Sequence, residues 1–356
     1  MTVSSPRGTR WKAWLAGGLL ALSAAGSPAA DFDPERHGEA RRLVEELAAQ
    51  GIDRDWLEAA MEAAEYRPSV LDAMSGAAEH RLTWPEYRAI FLDEARIANG
   101  VAFIEAHADA FARAQAEFGV PSEVIAAILG VETRYGEVTG RHRVLDSLST
   151  LAFHHPSRGR FFRGELAAFL AIAFEQGRAP GSLTGSYAGA MGYPQFIPTS
   201  YRAYAVDFDD DGLRDLWANP VDAIGSVANY FAEHGWRADA PIYHAVAGPA
   251  ALPGGIEFNR AARPPAVPAG RLDEAGLAVP DTLDDEHRLL PVALEQEGQD
   301  AWRYVLGEQN FYVITRYNHS HLYAMAVTEL AEAIAEARGR EAGWLEAADT
   351  MPEEAP

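Results

Sequence analysis

Cysteine is absent from this 356-residue chain, and lysine occurs once, at Lys12. The first absence excludes disulfides, thiolate metal sites, a cysteine nucleophile and lipid anchors attached through cysteine. Positive charge is also scarce. Thirty Lys+Arg stand against 52 Asp+Glu, for a formal net charge of −22. That balance argues against a polyanion-binding surface and against nucleic acid as a partner, since phosphate is held mainly by Lys and Arg. Beyond residue 30 no run approaches about 18 uncharged apolar residues, so no membrane span is predicted there. What is present is ordinary globular composition, 48% hydrophobic and 23% charged, which excludes a mainly disordered chain. At roughly 100–200 residues per domain the length predicts two or three domains.

Residues 1–30 read as a secretory signal peptide. Arg7, Arg10 and Lys12 precede an apolar stretch from Trp14 to Ala25, small residues follow, and Asp31, Asp33 and Glu35 open a polar chain. The stretch is too short for a comfortable membrane span. Cleavage between Ala25 and Ala30 would take the charge from −22 to −25. The expectation is a free periplasmic protein, exported and without a lipid or membrane anchor.

Residues 31–118 carry helical periodicity. Leu43, Leu47 and Ile52, then Trp56, Leu57, Ala60 and Met61, recur every three to five positions between charges. A longer helical stretch follows Thr83-Trp84-Pro85, a helix-start signal. Residues 119–240 are again mainly helical, with helices predicted from Pro121, over Phe161 to Glu175 and over Pro220 to His234. Gly181 to Tyr201 is too rich in Gly, Pro and Ser for a helix. Over 241–316 Pro and Gly cluster, and three runs look like strands: Leu289–Leu294, Trp302–Leu306 and Phe311–Arg316. A helix is predicted over about His319 to Arg338, within a unit spanning 317–340. The acidic remainder, 341–356, reads as a loose tail.

Four segments carry chemistry. Glu132 lies on the apolar face of Val124, Ile125, Ile128 and Leu129, near a helix C-terminus. Burial and the helix dipole both disfavour the anion there, as a general acid working near neutrality requires. A buried glutamate paired with Arg134 or another arginine satisfies the same pattern. The loop Gly185–Pro198 combines small residues with Ser186 and Gln195 as polar groups and Tyr187, Tyr193 and Phe196 as ring faces. That mixture suits a saccharide cleft. Asp207, Asp209 and Asp211, with Gly212 and the carbonyl position Leu213, match the start of an EF-hand loop and predict bound Ca²⁺. Ala218 stands where the closing glutamate belongs, so Asp222 is the candidate closing ligand. Finally, Arg316-Tyr317-Asn318-His319-Ser320-His321 invites a zinc reading, but no further His–carboxylate motif completes a ligand set.

Taken together, these motifs resemble the lytic murein transglycosylase B family. The resemblance rests on Val120-Pro121-Ser122 to Gly130-Val131-Glu132-Thr133-Arg134-Tyr135-Gly136, on Gly189-Ala190-Met191-Gly192 with Pro194-Gln195-Phe196-Ile197-Pro198, on Asp207 to Trp217, and on Arg316-Tyr317-Asn318. It implies a mainly α (α+β) fold: a lysozyme-like helical core with an EF-hand-type calcium loop, an N-terminal helical domain and a small β-rich domain. It also implies cleavage of the β-1,4 bond between N-acetylmuramic acid and N-acetylglucosamine in peptidoglycan, without hydrolysis and with a 1,6-anhydro product. Glu132 would serve as acid and then base, and Ca²⁺ would be structural. By position Ser186, Gln195, Phe196, Tyr230, Tyr317, Asn318 and Tyr323 would line the cleft, with Tyr87 reaching in from the helical domain. Arg158 would be a substrate contact, with Arg160 as its rival. The implied partner is the glycan strand, bound by a monomer, with cell-wall synthesis or division proteins as further partners. A non-catalytic peptidoglycan-binding scaffold and a lysozyme-type hydrolase are the competing functions.

Overall fold

The computed structural model describes residues 30–76, 82–296 and 302–342. The signal-peptide reading of 1–30, apart from Ala30, and most of the tail reading lie outside them. The described residues open with three short helices, α1 (Gly38–Ala48), α2 (Arg54–Glu62) and α3 (Pro68–Gly76). Leu43, Val44 and Leu47 form the buried stripe of α1, and Asp53 caps α2 by accepting the Trp56 N–H at 2.8 Å. The longer helical stretch is three helices: α4 (Trp84–Phe91), α5 (Glu94–Ala106) and α6 (Ala108–Phe118). Glu86 accepts both the N–H and the hydroxyl of Thr83 at 2.8 Å, which starts α4. Asp93 accepts the Arg96 N–H at 2.8 Å and starts α5 anew. Apolar periodicity survives such breaks, because each helix keeps its stripe on the same core.

The middle of the chain holds α7 (Ser122–Thr133), β1 (His142–Arg143), α8 (Val144–His154), α9 (Gly159–Glu175), β2 (Thr184–Gly185), α10 (Pro198–Tyr204) and α11 (Pro220–Glu233). The strands β1 and β2 pair antiparallel. Beyond them lie β3 (Tyr243–Val246), β4 (Val267–Pro268), α12 (Ala269–Glu274), β5 (Arg288–Glu295), β6 (Trp302–Gly307), α13 (Gln309–Tyr317) and α14 (His321–Ala337). The sheet runs β3-β6-β5-β4, antiparallel throughout.

One predicted strand is a helix. Phe311–Arg316 belongs to α13, although Val313, Ile314 and Thr315 are β-branched and the run alternates. Glu308 donates its N–H to Ile242 O and turns the chain away from the sheet. Phe311, Ile314 and Thr315 then face inward at i, i+3 and i+4. Tertiary burial overrides the local preference. The helix α8 carried no periodic signal, because Val144 through Ala152 are all buried, and its polar residues Asp146, Ser147, Ser149 and Thr150 are buried with the apolar ones.

A continuous apolar interior runs from Phe32 to Ile334, and a smaller cluster fills the outer face of the sheet around Leu272, Leu289 and Leu306. The proposed division at 118/119 falls at Gly119 (φ 70°), and the packing continues across it. Through this interior passes α14, whose Ala324, Met325, Ala326, Val327, Leu330, Ala331 and Ile334 are inaccessible to solvent. It packs against α4, α5, α7 and α13. Among the described residues no single helix is long and apolar enough to cross a membrane.

Buried Asn310 ties the sheet-to-helix junction to the core. Its Oδ1 accepts from Arg237 N at 2.8 Å, and its Nδ2 donates to Arg237 O and Ala240 O at 2.8 and 3.0 Å. Asn310→Ala leaves all three backbone groups unpaired and is expected to destabilise the protein by about 2–3 kcal/mol. The check is the denaturant midpoint at constant m-value; a loss under about 0.5 kcal/mol would mean that water replaces the bonds.

Candidate active site

Glu132 is the penultimate residue of α7, a helix buried all round from Ser122 to Gly130. A core helix must stop abruptly to place one carboxylate at a wall, and the stop here is unusual. Arg134, Tyr135 and Gly136 take φ values of 51°, 60° and 94° in succession. Two consecutive non-glycine residues in the left-handed region store strain of about 1 kcal/mol or more each. The surroundings hold them there. Thr133 Oγ1 donates to Tyr193 O at 2.9 Å and accepts the Gly136 N–H at 3.1 Å. Tyr135 OH donates to Arg96 O at 2.8 Å. A Cβ at Gly130 would stand 2.5 Å from the Tyr135 hydroxyl oxygen, and one at Gly136 would stand 2.1 Å from the Tyr193 ring. Glycine is the side chain that fits at both positions.

The Glu132 carboxylate is half-buried and accepts a hydrogen bond from Tyr323 OH at 2.6 Å, across from α14. Burial pushes its pKa from the ordinary 4.5 up to about 7, and the Tyr323 bond offsets only part of that. Among the described residues it has no ion pair. Arg134 is exposed, so the structural reading of Glu132 as an arginine partner is not what the fold builds.

An aromatic wall surrounds the carboxylate. Tyr317 stacks on Tyr323 with centroids 6.4 Å apart and planes 12° apart, and its hydroxyl donates to Pro194 O at 2.6 Å. Phe196 lies 5.8 Å from Tyr317 and 5.6 Å from Tyr230. Tyr230 OH donates to Arg316 O at 2.7 Å. Tyr87, half-buried on α4, has its pKa raised to about 12 by burial and by the charge of Glu132. Burial and Glu132 also push Tyr317 and Tyr323 well above the ordinary phenol value. All three phenols therefore stay neutral donors near pH 7.

Other predicted cleft residues are partly committed to holding the loop. Ser186 Oγ accepts from Ala188 N at 3.2 Å and Ala190 N at 3.0 Å, which leaves its hydroxyl proton to donate. Gln195, itself at φ 51°, donates its amide to Thr139 O at 3.1 Å and Gly192 O at 2.9 Å. Phe196, Tyr230 and Tyr323 are 3%, 7% and 2% exposed, so they are walls more than open faces. Asn318 is exposed at the end of α13. Arg158 is exposed at the start of α9, its guanidinium 4.7 Å from the Phe161 centroid and 5.1 Å from Phe162. No contact among the described residues joins Arg158 to the Glu132 cluster. Thr133 and Tyr135, which shape the turn, carried no signal in the sequence beyond their place in the motif. A cavity of about 950 Å³ opens at the other end of α7, beside Glu123, Trp236 and Arg338, and none of the predicted site residues lines it.

The aspartate loop is a second centre. Carboxylate oxygens of Asp207, Asp209 and Asp211 lie within 4.8 Å of one another. Asp207 accepts from Asp211 N (3.1 Å) and Gly212 N (2.8 Å), and Asp211 accepts from Leu213 N at 2.8 Å. This oxygen-only set fits a hard cation. Asp222 lies outside the group of three. Its Oδ1 accepts from Phe208 N and its Oδ2 from Asp215 N, both at 2.7 Å, so it staples the two ends of the loop to α11. Burial, opposed by those bonds and supported by Asp209 and Asp207, raises its pKa to about 6. As for zinc, His319 is exposed, and burial pulls His321 down to about 4. Among the described residues neither histidine joins a metal-ligand group.

Glu132 makes stability depend on pH with a definite sign. Between pH 4.5 and about 7 the folded chain keeps a proton that the unfolded chain releases. The stabilisation is present below that window and lost as pH rises through it. Glu132→Gln has no such proton. Its melting temperature relative to wild type should therefore rise between pH 5 and pH 8; a constant difference would mean that Glu132 titrates normally.

Comparison with known proteins places this geometry. The family described as "Transglycosylase SLT domain" matches residues 35–332. A relative, membrane-bound lytic murein transglycosylase B of Escherichia coli (strain K12), is 40% identical over 310 residues, covering 84% of this chain and 83% of the relative. The soluble lytic transglycosylase SltB1 of Pseudomonas aeruginosa has a similar structure, with a TM-score of 0.77 and 45% identity over 85% of this chain and 99% of that one. The E. coli lytic transglycosylase Slt35, solved in complex with calcium, is similar with a TM-score of 0.78 and 40% identity over 88% and 96% of the two chains.

Proposed function

This chain belongs to the SLT-domain transglycosylases, and on that premise we propose that Glu132 is the single acid–base of its reaction. The protein is a peptidoglycan lytic transglycosylase. The observation that carries the role of Glu132 is its place at the end of a core helix with Tyr323 OH as its hydrogen-bond donor and no ion pair among the described residues, a burial that pushes its pKa up to about 7. At neutral pH such a group is available both as acid and as base.

The steps balance without water. Protonated Glu132 gives its proton to the oxygen linking N-acetylmuramic acid to N-acetylglucosamine, and the bond from muramoyl C1 to that oxygen breaks. Positive charge develops on the muramoyl ring. The carboxylate then takes the proton of the muramoyl 6-hydroxyl, whose oxygen closes on C1 as a 1,6-anhydro ring. Glu132 ends protonated, as it began. One carboxylate suffices because the substrate supplies the nucleophile, unlike the two-carboxylate scheme. Tyr323 holds Glu132 in place and stabilises its anionic half-cycle through the 2.6 Å bond. Tyr87, Tyr317, Phe196 and Tyr230 keep the site dry, while Ser186, Asn318 and the free oxygen of Gln195 face the sugars. Arg158 serves an outer part of the glycan or its peptide stem.

Peptidoglycan digested with the enzyme should yield anhydro-ended fragments by mass spectrometry, with activity declining as pH rises above about 7. Glu132→Gln should reduce turnover by about 10²–10⁴-fold while glycan binding persists. Reducing-end products would make it a hydrolase, and an active glutamine variant would remove Glu132 from the chemistry.

We assign Asp207, Asp209, Asp211 and the Leu213 carbonyl to a structural Ca²⁺, in keeping with the calcium complex of Slt35. The ion would neutralise three crowded carboxylates and stiffen the start of α11, which carries Tyr230. Asp222 would act through the backbone, as the staple described above. Export to the periplasm is part of the same proposal. Chelation should lower the melting temperature, and added Ca²⁺ at 100 times its Kd should restore about 2.7 kcal/mol. An unchanged midpoint would reduce the loop to an acidic turn.

A further inference from the structure

Glu329 lies six residues along α14 from Tyr323, about 9 Å down the helix axis. It belongs to none of the site motifs. Its side chain is only 9% exposed, yet it meets two arginines from distant parts of the chain. Arg88 Nε of α4 donates to its Oε2 at 2.6 Å, and Arg303 Nη1 of β6 donates to its Oε1. One buried carboxylate thus joins α4, α14 and the sheet. Glu332, one turn further on, is pushed up to about 7 by burial, with Glu329 adding to the rise, and hydrogen-bonds Tyr243 of β3.

Arg88 directly follows Tyr87. Neighbouring residues on a helix point about 100° apart, so the helix orientation that sends Arg88 to Glu329 also sets where Tyr87 points. The other anchors of α4 are buried Trp84 and Arg96 of α5, which donates to Ile90 O at 2.9 Å and lies 5.3 Å from the Phe91 ring. Neither clamps the helix to α14 by a directional bond. A half-exposed arginine on a buried carboxylate does, because losing it would leave a buried charge less well compensated.

We propose that Glu329 is a positioning residue for the reaction: through Arg88 it docks α4 so that Tyr87 closes the wall over Glu132. This rests on the acid–base reading of Glu132. Loosening α4 admits water to the carboxylate, whose charged form then becomes less unfavourable. The groups facing Glu132 are Tyr323 of α14, Tyr317 of α13 and Tyr87 of α4, and only Tyr87 depends on the clamp.

The test is kinetics on peptidoglycan across pH for full-length Arg88→Ala, Arg88→Lys and Glu329→Gln, beside wild type and Glu132→Gln. In Arg88→Ala the alkaline midpoint should fall by about 0.5–1 pH unit. Its KM should rise while kcat at pH 5.5 stays within about twofold. Arg88→Lys should recover most of both, and Glu329→Gln should follow Arg88→Ala where it folds. The melting-temperature difference that Glu132→Gln makes should shift to lower pH in the Arg88→Ala background, which reads the carboxylate without turnover. A folded Arg88→Ala enzyme with wild-type midpoint and KM overturns the proposal. If instead Glu132→Gln remains active, the acid–base reading fails, and the melting-temperature shift still reports whether Arg88 controls the environment of Glu132.

Discussion

A carboxylate kept away from water with no cation beside it is unfavourable, and the catalytic half of this protein is arranged around that one condition. Glu132 sits where the core helix α7 runs out, between the neutral phenols of Tyr87, Tyr317 and Tyr323. Any arginine brought alongside would lower its pKa and disable it as an acid. The chain has many arginines, but the ones nearby turn elsewhere: Arg134 to solvent, Arg96 to Ile90 O, Arg88 to Glu329. In the reaction proposed for Glu132 this arrangement is sufficient, since the sugar brings its own nucleophile.

Holding such a group requires stiffness. Two non-glycine residues in the left-handed region, Arg134 and Tyr135, follow the last helical residue Thr133, and their strain persists because Thr133, Tyr135, Gly130 and Gly136 are each fixed by neighbours. The acidic loop applies the same logic at a distance. Asp222 gathers the backbone at Phe208 and Asp215, and Arg113 donates to Phe208 O. The aspartates that bias the chain toward a net charge of −22 are therefore partly structural. Net charge does not draw the substrate in.

Much of this was legible in advance, for identifiable reasons. The helices α9, α11 and α14 announced themselves by stripe, cap and length. Glu132 stood out because a charge on an apolar face breaks the pattern. The aspartate spacing displayed an oxygen-ligand set directly. Other features were invisible or misleading. The helix α8 buries polar and apolar residues alike, from Val144 to Ala152, so it has no period to detect. In α13 the β-branched run Val313-Ile314-Thr315 argues for a strand until Glu308 and the core redirect it. Gln195 looked like a free sugar ligand, although its amide nitrogen is occupied by Thr139 and Gly192.

The sequence by itself determined the chemistry available: one glutamate at a helix end, a set of aromatic residues, three aspartates in register, and no cysteine to tether or crosslink the chain. Those follow from local spacing, which short-range geometry converts directly into shared faces. Only the tertiary structure decided that Tyr323, 191 residues from Glu132, would bond it, and that Arg88 and Arg303 would meet on Glu329. A pKa depends on everything within a few ångströms in space, and spacing along the chain does not reveal which distant segments those will be.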